Sequence, residues 1–228
     1  MNKISALLLA GSLGLSACAG PAVAAEELVN APASARIAKE GSGGLKTAIF
    51  AGGCFWGVEG VFSHVNGVKS AVSGFHGGNA ASAKYDIIVS GLTDHAESVK
   101  VTYDPAVVRY DELLRIYFSV VADPTLKNRQ GPDVGAHYRG ALVPTSKEQA
   151  AVARAYIAQL GKSGLWSKPI VTAIEPYKAF YPAETYHQDF MAKNPRHGYI
   201  MRWDKPKVDA LKALFPTHYR ATFLRDAS

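Results

Sequence analysis

Lys46-Thr47-Ala48-Ile49-Phe50-Ala51-Gly52-Gly53-Cys54-Phe55-Trp56-Gly57-Val58-Glu59-Gly60-Val61-Phe62 changes its periodicity halfway along. Lys46–Ala51 is a short apolar run bounded by glycines, which fits a buried strand. Val58, Val61, Phe62 and Val65 then recur at i, i+3, i+4 and i+7, one face of a helix. Cys54 therefore sits where a strand ends and a helix begins. Outward from this unit, Val68–Phe75 and Glu97–Tyr103 read as strands, the latter with Val99, Val101 and Tyr103 alternating against polar neighbours. His137–Val143 and Pro169–Ile174 are further strand candidates. Helices are predicted over Tyr110–Val121, Ala183–Lys193 and Pro206–Phe215. Thr145-Ser146-Lys147-Glu148 reads as a capping box opening an alanine-rich helix to about Leu160. Strands and helices mixed along one chain indicate an α/β or α+β sandwich.

The chain has 228 residues, enough for one substantial domain. Its 48% hydrophobic and 19% charged residues exclude a disordered chain, a collagen-like repeat and a polytopic membrane protein. The net charge of +6 is unevenly placed: from Lys193 to Ser228 there are eight Lys/Arg and three Asp/Glu. The plain reading is a solvated basic face; the sharper one is a face resting on anionic lipid head groups. No Lys/Arg run interleaved with aromatic residues suggests a nucleic-acid partner.

Met1-Asn2-Lys3 supplies a positive start, and Ile4 to Leu15 is apolar apart from Gly and Ser. That run is too short to span a bilayer, which takes about 20 apolar residues, and it has the shape of an export signal. Leu15-Ser16-Ala17-Cys18 resembles the lipobox of bacterial lipoproteins, in which the cysteine is lipidated; Ala22-Val23-Ala24 offers ordinary cleavage. The lipobox is the more specific pattern. The expected organisation is a signal peptide over residues 1–25, a flexible Ala/Pro/Ser/Gly-rich tether over 26–45, and a catalytic domain over 46–228. The expected location is the bacterial cell envelope or periplasm, with a lipid anchor through Cys18 as one form.

Only two cysteines are present, Cys18 and Cys54. Two cannot build a four-thiolate zinc site or a disulfide framework, and the seven histidines show no close ligand pairing, so no metal is expected. Either exit from the leader removes Cys18 as a free thiol and leaves Cys54 alone. At a helix start, unpaired N–H groups and the helix dipole should make that thiol easier to deprotonate. The flanking glycines allow close approach, and Phe55 and Trp56 could form an apolar cup for a methyl-bearing group. A buried structural cysteine is the bland alternative. A Cys54/His187 hydrolase and a non-catalytic methionine-binding module are two others.

Gly53-Cys54-Phe55-Trp56-Gly57-Val58-Glu59 resembles the signature of the A-type peptide methionine sulfoxide reductases. Three further blocks are similar to the family's, in its order. Thr93-Asp94-His95-Ala96-Glu97 stands for Thr-Gly-His-Ala-Glu, with Tyr85 ahead of it. Asp133-Val134-Gly135-Ala136-His137-Tyr138-Arg139-Gly140 stands for Asp-x-Gly-x-Gln-Tyr-Arg-Ser, and Pro182-Ala183-Glu184-Thr185-Tyr186-His187-Gln188 for Pro-Ala-Glu-x-Tyr-His-Gln.

The resemblance implies an α/β (α+β) fold, a ferredoxin-like mixed-sheet two-layer sandwich with helices packed on the sheet. It implies thiol-dependent reduction of protein-bound and free methionine-S-sulfoxide, with repair of oxidised proteins as the purpose. Cys54 would be the nucleophile and Glu97 the acid at the sulfoxide oxygen. Tyr85 and Tyr138 would donate to that oxygen, Asp133 would orient the polar network, and Phe55 and Trp56 would bind the S-methyl group. Glu59 would support the site, and His95 would be a positioned neighbour. Asp94 and Gly140 depart from the usual Gly and Ser, a change expected at the rim. No cofactor is implied. With no cysteine after Cys54, the reductant must be an external thiol, a thioredoxin- or glutaredoxin-like protein or a small thiol. A monomer is expected.

Overall fold

The computed structural model describes residues 28–41 and 43–225. β1 (Lys46–Gly52) leads through Gly53 and Cys54 into α1 (Phe55–Ser63) and back to β2 (Val68–His76). A short α2 (Tyr85–Ile88) precedes β3 (Ala96–Tyr103), and α3 (Tyr110–Ile116) continues into a π-helical turn over Tyr117–Val121. A small hairpin of β4 (Arg129–Gln130) and β5 (Asp133–Val134) comes next, then β6 (Gly140–Val143) and α4 (Lys147–Leu160). The chain ends with β7 (Ala173–Ile174), β8 (Phe180–Pro182), α5 (Phe190–Lys193), a second π-helical turn over Ile200–Asp204, and α6 (Lys205–Leu214).

The main sheet runs β7-β6-β1-β3-β2-β8, antiparallel throughout except for the parallel pair β6–β7. Its four inner strands have the order of a ferredoxin-like βαββαβ unit. Ala48 and Phe50 of β1 face the layer of α1, α3 and α6 and join one large core, whereas Ala51 packs with Ala96 and Ala141 on the opposite face. Burial on both faces explains why β1 reads as a continuous apolar run rather than an alternating one. Phe50 stacks on Phe62 of α1 at 4.6 Å between ring centroids, locking the helix onto its strand.

The predicted elements around Cys54 coincide with observed ones, and the misses lie where tertiary contacts override local pattern. The run Ala183–Lys193 is not one helix: a 3-10 turn (Thr185–His187) and α5 are separated by Asp189 at φ +54°. Gln188 is held away from a helical path because its side chain bonds Ser73 N–H and C=O and the Ala183 carbonyl, while Asp189 N–H donates to Glu59 Oε1 at 3.1 Å. The helix expected over Tyr110–Val121 is α only to Ile116. Strand structure within Pro169–Ile174 shrinks to two residues, and His137 and Tyr138 belong to a 3-10 turn ahead of β6. The cap of α4 falls one residue later than expected: Ser146 Oγ accepts from Gln149 N–H, and Gln149 Oε1 accepts from Thr145 N–H.

Two charge and flexibility expectations change. Among the eight C-terminal cations, Lys207 is 8% exposed and donates to the Val121 carbonyl at 2.8 Å, and Arg220 donates inward to the Ser63 carbonyl. They are structural, not part of a solvated face. The signal segment and Cys18 lie outside the described residues, but 29–40 of the expected tether forms a strap on the domain. Ala31 and Ala38 are buried, with N–H groups on Ser119 Oγ and Asp111 Oδ1. Gln159 brackets the strap through Ala35 N–H and Ala33 C=O, and Glu40 accepts from Tyr110 N–H and the Tyr103 hydroxyl. Composition suggested flexibility because the partners of these amides lie 73 to 124 residues away.

Removing residues 1–40 therefore deletes part of the folded unit. At about 1 kcal/mol net for each buried hydrogen bond, less the ordering cost of the strap, the expected loss is about 2 kcal/mol. That corresponds to a Tm lower by roughly 4–8 °C for a domain of this size. An unchanged calorimetric midpoint would restore the tether reading.

Candidate active site

Cys54 is the N-cap residue of α1, reached through Gly53 at φ +85°. A Cβ at Gly53 would lie 2.6 Å from Gln130 Cβ, so the turn that aims the cysteine closes against the β4–β5 segment only with glycine there. Gln130 is itself fixed by two bonds to the main chain of Asp123. The cysteine opens on a narrow recess lined by Gln130, Asp133, Tyr199, Trp203, Asp204 and Lys207.

Glu97, on β3, is 1% exposed and reaches across to α1, where its Oε2 accepts the Phe55 N–H at 3.0 Å. Burial pushes its carboxyl up to about 8 despite that stabilising amide, and the charges of Asp133 and Asp204 push in the same direction. The Cys54 thiol is not lowered as the helix start alone suggested. Burial raises it, Glu97 and Asp204 raise it further, and the Trp56 N–H opposes them without prevailing. The first-turn amide acts as expected, but desolvation beside two acids outweighs it.

The aromatic cup is asymmetric. Phe55 is buried against Phe75, Tyr85 and His187, so it forms a floor beneath the site. Trp56 is half-buried, lies flat on Phe190 at 3.6 Å, meets Tyr199 edge-on at 6.0 Å, and donates Nε1–H to His187 Nδ1 at 3.1 Å. His187 thereby orients the indole, which disfavours its use as a base on Cys54. Tyr85 starts α2, where its N–H donates to Glu184 Oε1 at 2.9 Å; its phenol is pushed up to about 12, burial being the main cause. The Tyr138 phenol is raised as well, first by burial and then by Glu97. Both hydroxyls therefore remain proton donors over the working pH range.

Asp133 accepts a hydrogen bond from the Tyr199 hydroxyl. Tyr199, like Gln130, Trp203, Asp204 and Lys207 of the same recess, is a site residue that local sequence did not suggest; its hydroxyl bonds Asp133 and its ring meets Trp56. Glu59 is buried and braces the Asp189 turn, consistent with a supporting role. His95 bonds Gly78 N–H and the Asn79 carbonyl, a positioning role. Gly140 is not at the rim: it is buried in β6 opposite Gly52, and an added Cβ would lie 3.3 Å from the Tyr117 hydroxyl. Asp94 is exposed.

Residues 46–218 match the family model described as peptide methionine sulfoxide reductase. A relative from Mesorhizobium japonicum, named peptide methionine sulfoxide reductase MsrA 2, is 54% identical over 77% of this chain and 90% of its own length. Another so named, from Synechocystis, is 48% identical over 78% of this chain and 83% of its own. Among solved structures, reduced Mxr1 from Saccharomyces cerevisiae aligns with a TM-score of 0.58 at 29% identity, covering 87% of this chain and 98% of that one. Methionine sulfoxide reductase A of Corynebacterium diphtheriae aligns at 0.58 with 33% identity, covering 69% and 78%. With a buried acid bonded to the first amide of the helix that Cys54 caps, and Phe55 and Trp56 beside it, the chain belongs to the peptide methionine sulfoxide reductase family, A type, the oxidoreductases that reduce methionine sulfoxide in oxidised proteins.

Proposed function

We propose that this protein reduces the S epimer of methionine sulfoxide, free or in proteins, through a sulfenic acid on Cys54, and is regenerated by an external thiol. The observation that carries this reading is the buried carboxyl of Glu97, bonded to the first amide of the helix that Cys54 caps. Near neutral pH both Cys54 and Glu97 hold protons, because burial disfavours either charge. The substrate methyl lies on Trp56 above the Phe55 floor, and its oxygen accepts from Glu97, Tyr85 and Tyr138. Glu97 gives its proton to that oxygen as the Cys54 sulfur attacks the sulfoxide sulfur, and the thiol proton replaces it on Glu97. A neutral acid is the form this step needs. Oxygen then passes to Cys54, so thiol plus sulfoxide become sulfenic acid plus thioether, with no net proton taken up. Asp133, held by Tyr199, keeps the polar side of the site in place.

Regeneration needs two thiols. The first displaces water from the sulfenic acid to form a mixed disulfide, and the second attacks that disulfide and releases Cys54. The sequence has no cysteine after Cys54, so both come from outside, from a thioredoxin- or glutaredoxin-like protein or a small thiol. The apolar leader and Leu15-Ser16-Ala17-Cys18 support an exported, envelope-located enzyme.

Incubation of the protein with each epimer and dithiothreitol should yield methionine from the S form alone, and Cys54→Ser should reduce turnover to background. No turnover of either epimer defeats the reading, and turnover that survives Cys54→Ser defeats the mechanism.

Activity should decline as pH rises through about 8, where Glu97 loses its proton, and Glu97→Gln should lower kcat about 10²–10⁴-fold. Stability carries the same sign. The folded pKa exceeds the unfolded value of about 4.3, so the stabilising contribution of the bound proton is fully present below that pH and is lost as pH rises from there through about 8, where the folded carboxyl itself ionises. The slope is at most about 1.4 kcal/mol per tenfold change in proton concentration. Urea unfolding of Glu97→Gln should lack this slope. Parallel stability curves for the two proteins would show that the carboxyl is not held neutral.

A further inference from the structure

Arg139 follows Tyr138 directly, and its guanidinium gathers chain segments that are distant in sequence. Nε donates to Glu175 Oε1 at 2.7 Å and Nη2 to Glu175 Oε2 at 3.1 Å, a two-pronged ion pair. Nη1 donates to the Ala136 carbonyl at 3.1 Å, at the start of the turn that bears Tyr138. Nη2 also donates to the Asp94 carbonyl at 3.0 Å, three residues before Glu97. Gly77 is packed so closely here that a Cβ on it would lie 2.5 Å from that carbonyl and 2.8 Å from Arg139 Nη2.

Glu175 is well anchored in turn. Its N–H donates to the Leu142 carbonyl, extending the pairing of β7 with β6, and its carboxylate lies 3.4 Å from Nδ1 of the buried His76. Burial would raise this carboxyl, but His76 and Arg139 hold it down to about 2, so it is a fixed negative charge. His76 follows Phe75, the residue paired with Glu97 in the sheet register. Alternate strand residues point to opposite faces, so Phe75 and Glu97 face the site while His76 faces away from it. The Arg139–Glu175–His76 group therefore stands at the sheet end on the face opposite Glu97, and ties together the segments that carry Glu97 and Tyr138.

We propose that Arg139, with Glu175 as its counter-ion, is a positioning residue that aligns the Tyr138 hydroxyl and the Glu97 carboxyl on the sulfoxide oxygen. The proposal rests on the roles given above to Glu97 and Tyr138. Lysine cannot substitute: one ammonium cannot hold a carboxylate fork and two carbonyls in fixed directions. The donors act through geometry, and misplacement by about 1 Å can cost about 10²-fold.

The test measures kcat, KM and thermal midpoint for Arg139→Lys, Glu175→Gln and the double variant, together with the pH profile of Cys54 alkylation by iodoacetamide. That profile reads the ionisation of the Cys54 thiol, which is faced by Glu97, Asp133, Asp204, Tyr85, Tyr138 and Tyr199, none of them altered. Arg139→Lys should lower kcat roughly 10–100-fold with KM within about twofold, and adding Glu175→Gln should cost little more, as for residues acting as one unit. The alkylation inflection should move to lower pH, because a displaced Glu97 carboxyl no longer raises the thiol. Folded variants that keep kcat and the inflection overturn the proposal. So does loss of the fold in both single variants, since Arg139 would then be structural only. If the unaltered protein shows the inflection but no sulfoxide turnover, the functional reading fails, while the inflection of Arg139→Lys still decides the alignment.

Discussion

The hydrogen bond from Phe55 N–H to Glu97 is the contact on which the rest of the site depends. It joins the first turn of α1 to the start of β3, where the carboxyl is buried beside Asp133 and Asp204 with no cation among the charges that shift it. A buried carboxylate is costly, so the group keeps its proton. One amide donor is enough to fix its direction without making it a strong acid. The same burial raises the Cys54 thiol, and a second acid, Asp204, adds to the effect. The resting site therefore stores two protons beside one sulfur, a state that suits transfer of a proton to a neutral sulfoxide better than a free thiolate facing an ionised acid would.

Holding that arrangement takes support from several directions. Gly53 turns the chain against Gln130, and the two π-helical turns lie beside the recess. Val121, at the end of the first, accepts from Lys207, and the second supplies Trp203 and Asp204 to the lining. Such turns insert an extra residue into a helix and often mark sites where side chains must be re-aimed. Glu59, one turn into α1, secures the left-handed Asp189, and the short helix that follows brings Phe190 flat onto Trp56. The indole is held on its face by Phe190, at its nitrogen by His187 and at its edge by Tyr199. A group so confined can present an apolar surface without ordering cost at the moment of binding.

A single catalytic cysteine also sets the relation of this enzyme to its surroundings. A relative with a second cysteine could discharge its sulfenic acid internally. Under the proposed mechanism the oxidised sulfur is reduced by a thiol from outside the chain, which would tie turnover to the supply of thiols around it.

Much of this was legible in one dimension. The change of period after Gly52 located the strand, the helix and the cysteine between them, because both elements are built from local contacts and a regular apolar pattern. The motif blocks indicated Glu97, Tyr85, Tyr138 and Asp133. Other features depended on residues far apart in the chain. The break at Asp189 is imposed by Glu59, 130 positions earlier; the docked strap is imposed by side chains on α3 and α4; and Tyr199 acquires its place only by folding onto Asp133. The proton states of Cys54 and Glu97 belong to the same class. Sequence alone put the thiol at a helix start, where the dipole favours its anion. Only the tertiary structure decided that it keeps its proton, because desolvation by the packed site and the nearness of two acids exceed what one turn of helix can offer.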